Sequence, residues 1–171
     1  MAEAEVLMPD SPEAAVAAFG DGSDVTVVGG GTIVMPMVTH GWVRPTKALL
    51  LTGAGLDGVD TSGSTVTIGA MAPIAALIGM AAPLGTCAAN IADVEIRGQG
   101  TIGGNLCAVA PPEHPTGDLQ GALIALGASV RSAGPGGERS EAVEDFLADR
   151  GNRLVLEVSY DEPAAGAFVV G

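Results

Sequence analysis

Aromatic rings and basic side chains are both scarce in this sequence. Phe, Trp and Tyr make up 3% of the 171 residues, so few rings are available to pack a core or stack on a ligand. Lys and Arg number seven against twenty Asp and Glu, which gives a net charge of −13. Nucleic acids and anionic membrane surfaces are bound through basic patches, so the charge argues against both. An anionic ligand must then be held by backbone N–H groups.

Cysteines and long apolar runs are also rare. Cys87 and Cys107 form no CxxC pair, which favours a reducing compartment, and we expect a cytoplasmic protein. The first residues lack the basic and apolar segments of a secretory signal. No apolar run reaches the roughly 18 residues of a membrane span. A zinc site built from the two cysteines with His40 and His114 has no metal-binding spacing, so we predict no metal site and no membrane span.

Helix-like and strand-like segments alternate along most of the chain, which predicts an α/β or α+β fold. Ser11-Pro12-Glu13 predicts a helix start, because Ser is a good N-cap and Pro suits the first helical position; this helix should end near Gly20. An irregular loop is predicted between Pro36 and Pro45, and a mixture of strand and glycine-rich loop over residues 91–105. Further strands are predicted at 25–28, 48–51, 64–69, 128–132 and 153–160. Further helices are predicted at 73–80, 118–126 and 141–148, with loops at 110–117 and 133–138.

Glycine is abundant, and it clusters twice, at residues 29–31 and 98–104. The first cluster stands in VVGGGTIVMP and the second in RGQGTIGGN; each includes a Thr, and each is predicted to follow a strand. Glycine lets another group approach the backbone closely, and successive N–H groups in such a turn can surround an anion. Two clusters of this kind suit a ligand that contains a diphosphate. They also suit tight turns with no ligand, and the residues alone leave both interpretations open.

Other chemical signals are weak. Val34 replaces the third glycine of a Rossmann fingerprint, Pro36 would interrupt the helix it needs, and neither a P-loop nor a GxSxG elbow is present. Cys107 is a reactive thiol or a small packing residue. Asp118 either opens a helix or binds ligand hydroxyls. We assign no catalytic side chain, and an unrelated nucleotide-binding domain remains possible at this point.

Four segments together resemble one family. VVGGGTIVMP, IADVEIRGQGTIGGNLC, GDLQGALIALGASVRSAG and EDFL are similar, in order and spacing, to the FAD-binding medium subunit of the molybdenum hydroxylases. These are enzymes of the carbon monoxide dehydrogenase and xanthine dehydrogenase type. The resemblance covers almost the whole chain, and RGQGTIGGN is its most specific part.

The resemblance implies two small α/β subdomains of the vanillyl-alcohol-oxidase-like FAD-binding type, at residues 1–55 and 56–171, without the family's usual C-terminal domain. It implies FAD as the cofactor, with molybdopterin on a large partner subunit and two [2Fe–2S] clusters on a small one, in a dimer of heterotrimers. Electrons would pass from the clusters to FAD and on to an external acceptor, while substrate oxidation occurs on the large subunit. The alternative is a flavin-free assembly subunit of such a complex.

The resemblance also assigns site residues. The loop Thr26–Ile33 would wrap the diphosphate, Thr101–Asn105 would contact the diphosphate and ribityl chain, and Asp118 would bind hydroxyls. Substituting Gly30 or Gly103 by Val is expected to abolish FAD binding while the fold survives. The full set of implied cofactor-binding residues is Val27, Val28, Gly29, Gly30, Gly31, Thr32, Ile33, Ile91, Thr101, Ile102, Gly103, Gly104, Asn105, Asp118 and Leu154.

Overall fold

Two β-sheets of different construction organise the chain. A computed structural model describes residues 4–108 and 117–168. One sheet has three parallel strands, and the other has five antiparallel strands. The predicted mixed α/β fold is confirmed. The predicted boundary at residue 55 falls between the last strand of the first sheet and the first strand of the second.

The three-stranded sheet is built by a short βαβαβ run. In chain order its elements are β1 (Glu5–Leu7), α1 (Pro12–Phe19), β2 (Val25–Val28), α2 (Val34–Thr39) and β3 (Lys47–Leu50). Strand β3 lies in the middle and pairs in parallel with both β1 and β2. The carboxyl end of β2 therefore opens at one edge of this sheet, and the first glycine cluster follows it directly.

Helix α1 begins and ends where the sequence predicts. The Ser11 hydroxyl accepts a hydrogen bond from the Ala14 N–H at 3.1 Å, and Pro12 is the first helical residue. Gly20 follows the last residue with φ of 60°, a conformation that glycine adopts without a steric cost. The helix buries Ala15 and Phe19.

The second part of the chain forms the five-stranded sheet and the helices that pack against it. Its elements are β4 (Val59–Ser62), β5 (Thr65–Gly69), a 3₁₀ helix (Ile74–Leu77), α3 (Leu84–Ala89), α4 (Val94–Gln99), α5 (Ile102–Leu106), α6 (Leu119–Ala125), β6 (Ser129–Gly134), β7 (Gly137–Ala142), α7 (Val143–Ala148) and β8 (Leu154–Asp161). The strand order is β4-β5-β8-β6-β7. The final strand, β8, thus lies at the centre and joins the hairpin β4–β5 to the hairpin β6–β7.

The irregular loop predicted between Pro36 and Pro45 is wrong in its first part, because α2 occupies residues 34–39. Pro36 is the third residue of this helix. The first N–H groups of a helix have no acceptor within it, so a proline there removes no helical hydrogen bond. The chain from Gly41 to Thr46 has no regular secondary structure, as predicted.

The strand character predicted within residues 91–105 is also wrong, because this segment forms α4 and α5. Asp93 Oδ1 accepts from the Ile96 N–H at 2.8 Å, and the Thr101 hydroxyl accepts from the Gly104 N–H at 3.2 Å. Each is an N-cap three residues before its partner. The helix predicted at 73–80 is a single 3₁₀ turn. The loop predicted at 110–117 lies, except for Gly117, outside the described residues.

Two clusters of buried side chains form the core. The larger one lies between the five-stranded sheet and its helices. The smaller one, which we call the shared cluster, draws from both sheets and α1; its buried members are Ala15, Phe19, Leu49, Leu51, Ala54, Leu56, Ala133, Leu154 and Leu156. The two sheets are therefore held against one another by apolar packing. No helix in the described part of the chain is long and apolar enough to cross a bilayer.

Candidate functional site

The two glycine clusters touch each other. We call residues 29–33, after β2, the first loop, and residues 98–104, around the junction of α4 and α5, the second loop. A Cβ added to Gly30 would overlap the backbone carbonyl of Gln99, and one added to Gly29 would lie 3.0 Å from the Thr101 hydroxyl. A Cβ on Gly103 would lie 2.8 Å from the Ala70 Cβ and carbonyl oxygen. Gly30 and Gly103 are thus required by contacts within the protein itself.

A cavity of about 600 Å³ opens beside this contact, between the two sheets. Its volume lies within the range of cofactor and ligand sites, and its wall is mainly apolar. Val28 and Ile102 do not line it; Ile102 is fully buried in the larger core cluster. The other residues implied for the cofactor all line the cavity: Val27, Gly29, Gly30, Gly31, Thr32, Ile33, Ile91, Thr101, Gly103, Gly104, Asn105, Asp118 and Leu154.

The first loop offers unused backbone donors to this cavity. Within residues 4–108 and 117–168, no oxygen accepts a hydrogen bond from the N–H groups of Gly29, Gly30, Gly31, Thr32 or Ile33. Gly31 has φ of 74°, in the left-handed region that favours glycine. Buried or half-buried N–H groups normally have a partner, so this run of successive donors is the strongest polar feature of the site.

The second loop differs, and the expectation that it also presents bare amides is wrong. The Ile102 and Gly103 N–H groups donate to the carbonyls of Ala72 and Ala70, at 3.0 and 2.9 Å. The Gly104 N–H donates to the Thr101 hydroxyl. These bonds fix the start of α5 against the chain that follows β5. The second loop is therefore a wall that supports the first loop, and the N–H groups of residues 102–104 already have acceptors.

The junction of α5 and α6 forms another part of the cavity wall. Asn105 Oδ1 accepts from the Leu119 N–H at 2.9 Å, and Gln120 Nε2 donates to the carbonyl oxygens of Leu106 and Ala108, at 2.9 and 3.1 Å. The side-chain amide oxygen of Asn105 thus helps to hold α6 in place. Asp118, just before α6, is exposed and makes no capping bond with the described residues. Its carboxylate remains available to ligand hydroxyls.

Two cavity residues with polar or ionisable groups were not among the implied cofactor residues. Arg153 precedes Leu154 at the start of β8, and Cys107 follows α5. Part of Cys107 is exposed at the cavity wall, yet protein atoms surround its sulfur; this burial raises the pKa of the thiol to about 11. The thiol is therefore protonated at neutral pH, which favours its interpretation as a packing residue. Arg153 carries no motif that would have distinguished it in the sequence.

Metal-binding side chains are not brought together in the part of the chain that the structure describes. No group of three or more His, Cys, Asp or Glu residues there has a geometry that could hold a metal ion. His40 stacks on Trp42, with ring centroids 5.0 Å apart. His114 lies outside the described residues.

Comparisons with known proteins agree on one relationship. The model of the family described as the FAD binding domain in molybdopterin dehydrogenase matches residues 2–159. The chain is 33% identical over 151 residues to the carbon monoxide dehydrogenase medium chain of Hydrogenophaga pseudoflava, covering 84% of this chain and 51% of that one. It is 32% identical over 152 residues to the 6-hydroxypseudooxynicotine dehydrogenase complex subunit alpha of Paenarthrobacter nicotinovorans, covering 84% and 50%.

A solved structure has the same arrangement of elements. Reconstituted carbon monoxide dehydrogenase from Oligotropha carboxidovorans superimposes with a TM-score of 0.83 and 28% identity, over 96% of this chain and 61% of that chain. The chain spans about half the length of the curated relatives it matches.

Proposed function

Because the chain belongs to the family of FAD-binding domains in molybdopterin dehydrogenases, we propose that it binds FAD in the cavity between its two sheets and serves as an electron-transfer subunit. The observation that carries this proposal is the run of unpaired N–H donors of the first loop at the cavity wall. A diphosphate needs several converging donors, and this chain has few basic side chains to supply them.

The cavity wall fits the parts of the cofactor. The first loop would hold the diphosphate through its N–H groups. The Asp118 carboxylate would accept hydrogen bonds from cofactor hydroxyls. The apolar side chains of Ile33, Ile91 and Leu154 would cover the uncharged rings and exclude water from them.

The flavin ring, when bound, supplies the ability to take up and release electrons, and the protein's own residues hold and orient it. By analogy with the family, the electrons come from [2Fe–2S] clusters on a small partner subunit and leave to an external acceptor. Substrate oxidation would take place on a molybdopterin-containing large subunit, in a dimer of heterotrimers. Both described cysteines are free, which is consistent with a cytoplasmic complex.

Ligand titration tests the binding step. Protein of this sequence, prepared without flavin, is titrated with FAD, NAD and ATP while the thermal unfolding temperature is recorded. We expect FAD alone to raise the unfolding temperature, since a ligand that binds only the folded state stabilises it. A shift with NAD or ATP but none with FAD would show an unrelated nucleotide site.

A flavin-free assembly subunit is the second candidate. In its favour, none of the described residues that line the cavity is aromatic, so no ring from this part of the chain stacks on the flavin. This candidate predicts co-purification with molybdopterin and iron–sulfur subunits, with no flavin released on denaturation. One equivalent of released FAD per chain would exclude it.

A further inference from the structure

Arg153 occupies an unusual position at the cavity wall. Its Nε donates to the Ser132 hydroxyl at 2.8 Å, and Nη2 donates to the carbonyls of Ser132 and Gly137, both at 2.8 Å. Nη1 donates to the Pro135 carbonyl at 3.3 Å. These bonds hold the turn between β6 and β7. Since a guanidinium has five N–H donors, one donor on Nη1 remains unused.

Arg153 forms no ion pair with a carboxylate of the described residues. All four of its hydrogen bonds end on neutral oxygens. Glu141, the neighbouring carboxylate, is paired with Arg139 at 2.5 Å. Burial lowers the pKa of Arg153 and the nearby Arg139 lowers it further, whereas Glu141 acts in the opposite direction. A guanidinium nevertheless stays protonated at neutral pH, so Arg153 keeps a positive charge that no direct ion pair neutralises.

The cavity itself is almost free of charge. Among its described lining residues only Arg153 and Asp118 are ionisable at neutral pH. The protein as a whole has a net charge of −13, which opposes the approach of an anion. A single cation at the cavity wall therefore strongly influences the local electrostatic potential and makes it more favourable for an anionic ligand.

We propose that Arg153 is a specificity-determining residue whose positive charge selects ligands that carry a diphosphate. This inference rests on the proposed function and adds a side-chain charge to the backbone donors of the first loop. The diphosphate is the partner of choice because it is the permanent negative charge of oxidised FAD, whose isoalloxazine ring is neutral. The four hydrogen bonds from Arg153 to the β6–β7 turn, which we call the brace, keep the guanidinium in a fixed position. This lowers the entropic cost of binding an anion there.

Two substitutions separate charge from structure. Arg153→Lys keeps the positive charge but loses the forked hydrogen bonds, and Arg153→Gln loses the charge. Ser132→Ala is the matched control, since it removes one bond of the brace and leaves Arg153 charged. Dissociation constants are measured for FAD, ADP and riboflavin, which contain respectively the whole cofactor, the diphosphate without the flavin, and the flavin without phosphate.

We expect Arg153→Gln to weaken FAD and ADP binding about tenfold, the size of one charge-assisted hydrogen bond, and to leave riboflavin binding unchanged. Arg153→Lys and Ser132→Ala should bind FAD within about threefold of the original protein, even where their thermal stability falls. Equal losses for FAD and riboflavin, or equal losses in the Lys and Gln variants, would overturn the proposal and leave Arg153 as a brace alone. Failure of the original protein to bind FAD or ADP would instead refute the proposed function.

Discussion

Two glycines of this protein have a different structural role from the one that the sequence implies. Gly30 and Gly103 looked like positions emptied to admit a cofactor, but their missing side chains admit the backbone of Gln99 and the residue Ala70. In the proposed function, the cofactor contact would fall to the N–H groups of the first loop instead. The expectation that Gly30→Val spares the fold therefore needs revision, because any side chain at this position separates the two loops.

Gly30→Ala should destabilise the protein by about 1–3 kcal/mol, as overpacking does, and weaken FAD binding at the same time. The free energy of unfolding from denaturant titration measures the first effect. Gly98→Ala is the control, because nothing lies within 4 Å of a Cβ there and the residue is helical and exposed. It should leave stability unchanged or raise it by up to about 1 kcal/mol. Equal stabilities for the two variants would contradict the close contact of the loops.

We expect the buried thiol of Cys107 to make the stability of the protein fall at alkaline pH. Its thiol has a pKa of about 11 in the folded protein and 9.0 as the reference value, so the folded state binds the proton more tightly. The stabilisation is complete below pH 9 and is lost as the pH rises to 11, on the order of 2 kcal/mol. The difference in unfolding free energy between the original protein and Cys107→Ala should therefore shrink over this range. A difference that stays constant from pH 8 to pH 11 would contradict the buried thiol.

At the scale of elements, N-cap residues determine that a segment is helical where its hydrophobic pattern fits either a helix or a strand. Residues 91–105 contain β-branched residues and glycines, which suggested a strand and a loop. Asp93 and Thr101 are each placed three residues before an N–H group that they can cap, and that local signal favours two short helices. The sequence contained this signal, whereas the use of the Gly103 and Ile102 donors depends on Ala70 and Ala72, which only the tertiary fold brings near.

Thr101→Ala should cost about 1–2 kcal/mol of unfolding free energy, because Thr101 is buried and its hydroxyl caps α5. Thr101→Ser keeps the hydroxyl and should cost clearly less. Denaturant titration of both variants measures the difference. If the Ser variant were as unstable as the Ala variant, the methyl group and not the cap would be responsible.

The strands that the sequence does not predict are those without an apolar or alternating pattern of residues. Strand β4 is exposed along its whole length, and β1 has three residues. Strand β7, with the sequence GERSEA, is polar and half-exposed. Each becomes a strand because a neighbour offers it hydrogen bonds, namely β5, β3 and β6 respectively. By contrast, α1, β2 and β8 have caps or continuous apolar runs and were predicted within a residue or so.

At the scale of the whole molecule, the shared cluster makes one cooperative unit of the two sheets. Leu154 lines the cavity and, with Leu156, packs in the cluster that includes α1 and β3 side chains. The wall of the cavity and the contact between the sheets are thus parts of one packed region. The two sheets should unfold together, and FAD should stabilise both.

Leu156→Ala should lower the free energy of unfolding by about 2–5 kcal/mol and still give one transition, since Leu156 is 1% exposed in the shared cluster. Ile124→Ala, on the exposed side of α6, serves as the comparison and should cost less than about 1 kcal/mol. Unfolding is followed by both far-ultraviolet circular dichroism and tryptophan fluorescence. Two separate transitions would show that the sheets fold independently.

The central position of β8 has a consequence for how the protein is made. Its partners β5 and β6 leave the ribosome before it does, and neither pairs with the other. Until residues 154–161 emerge, the nascent chain holds two hairpins with unsatisfied edges, which are sites of mispairing. The pocket wall that includes Leu154 is completed by the same late segment. The cavity therefore cannot be complete before this strand has emerged and paired with β5 and β6.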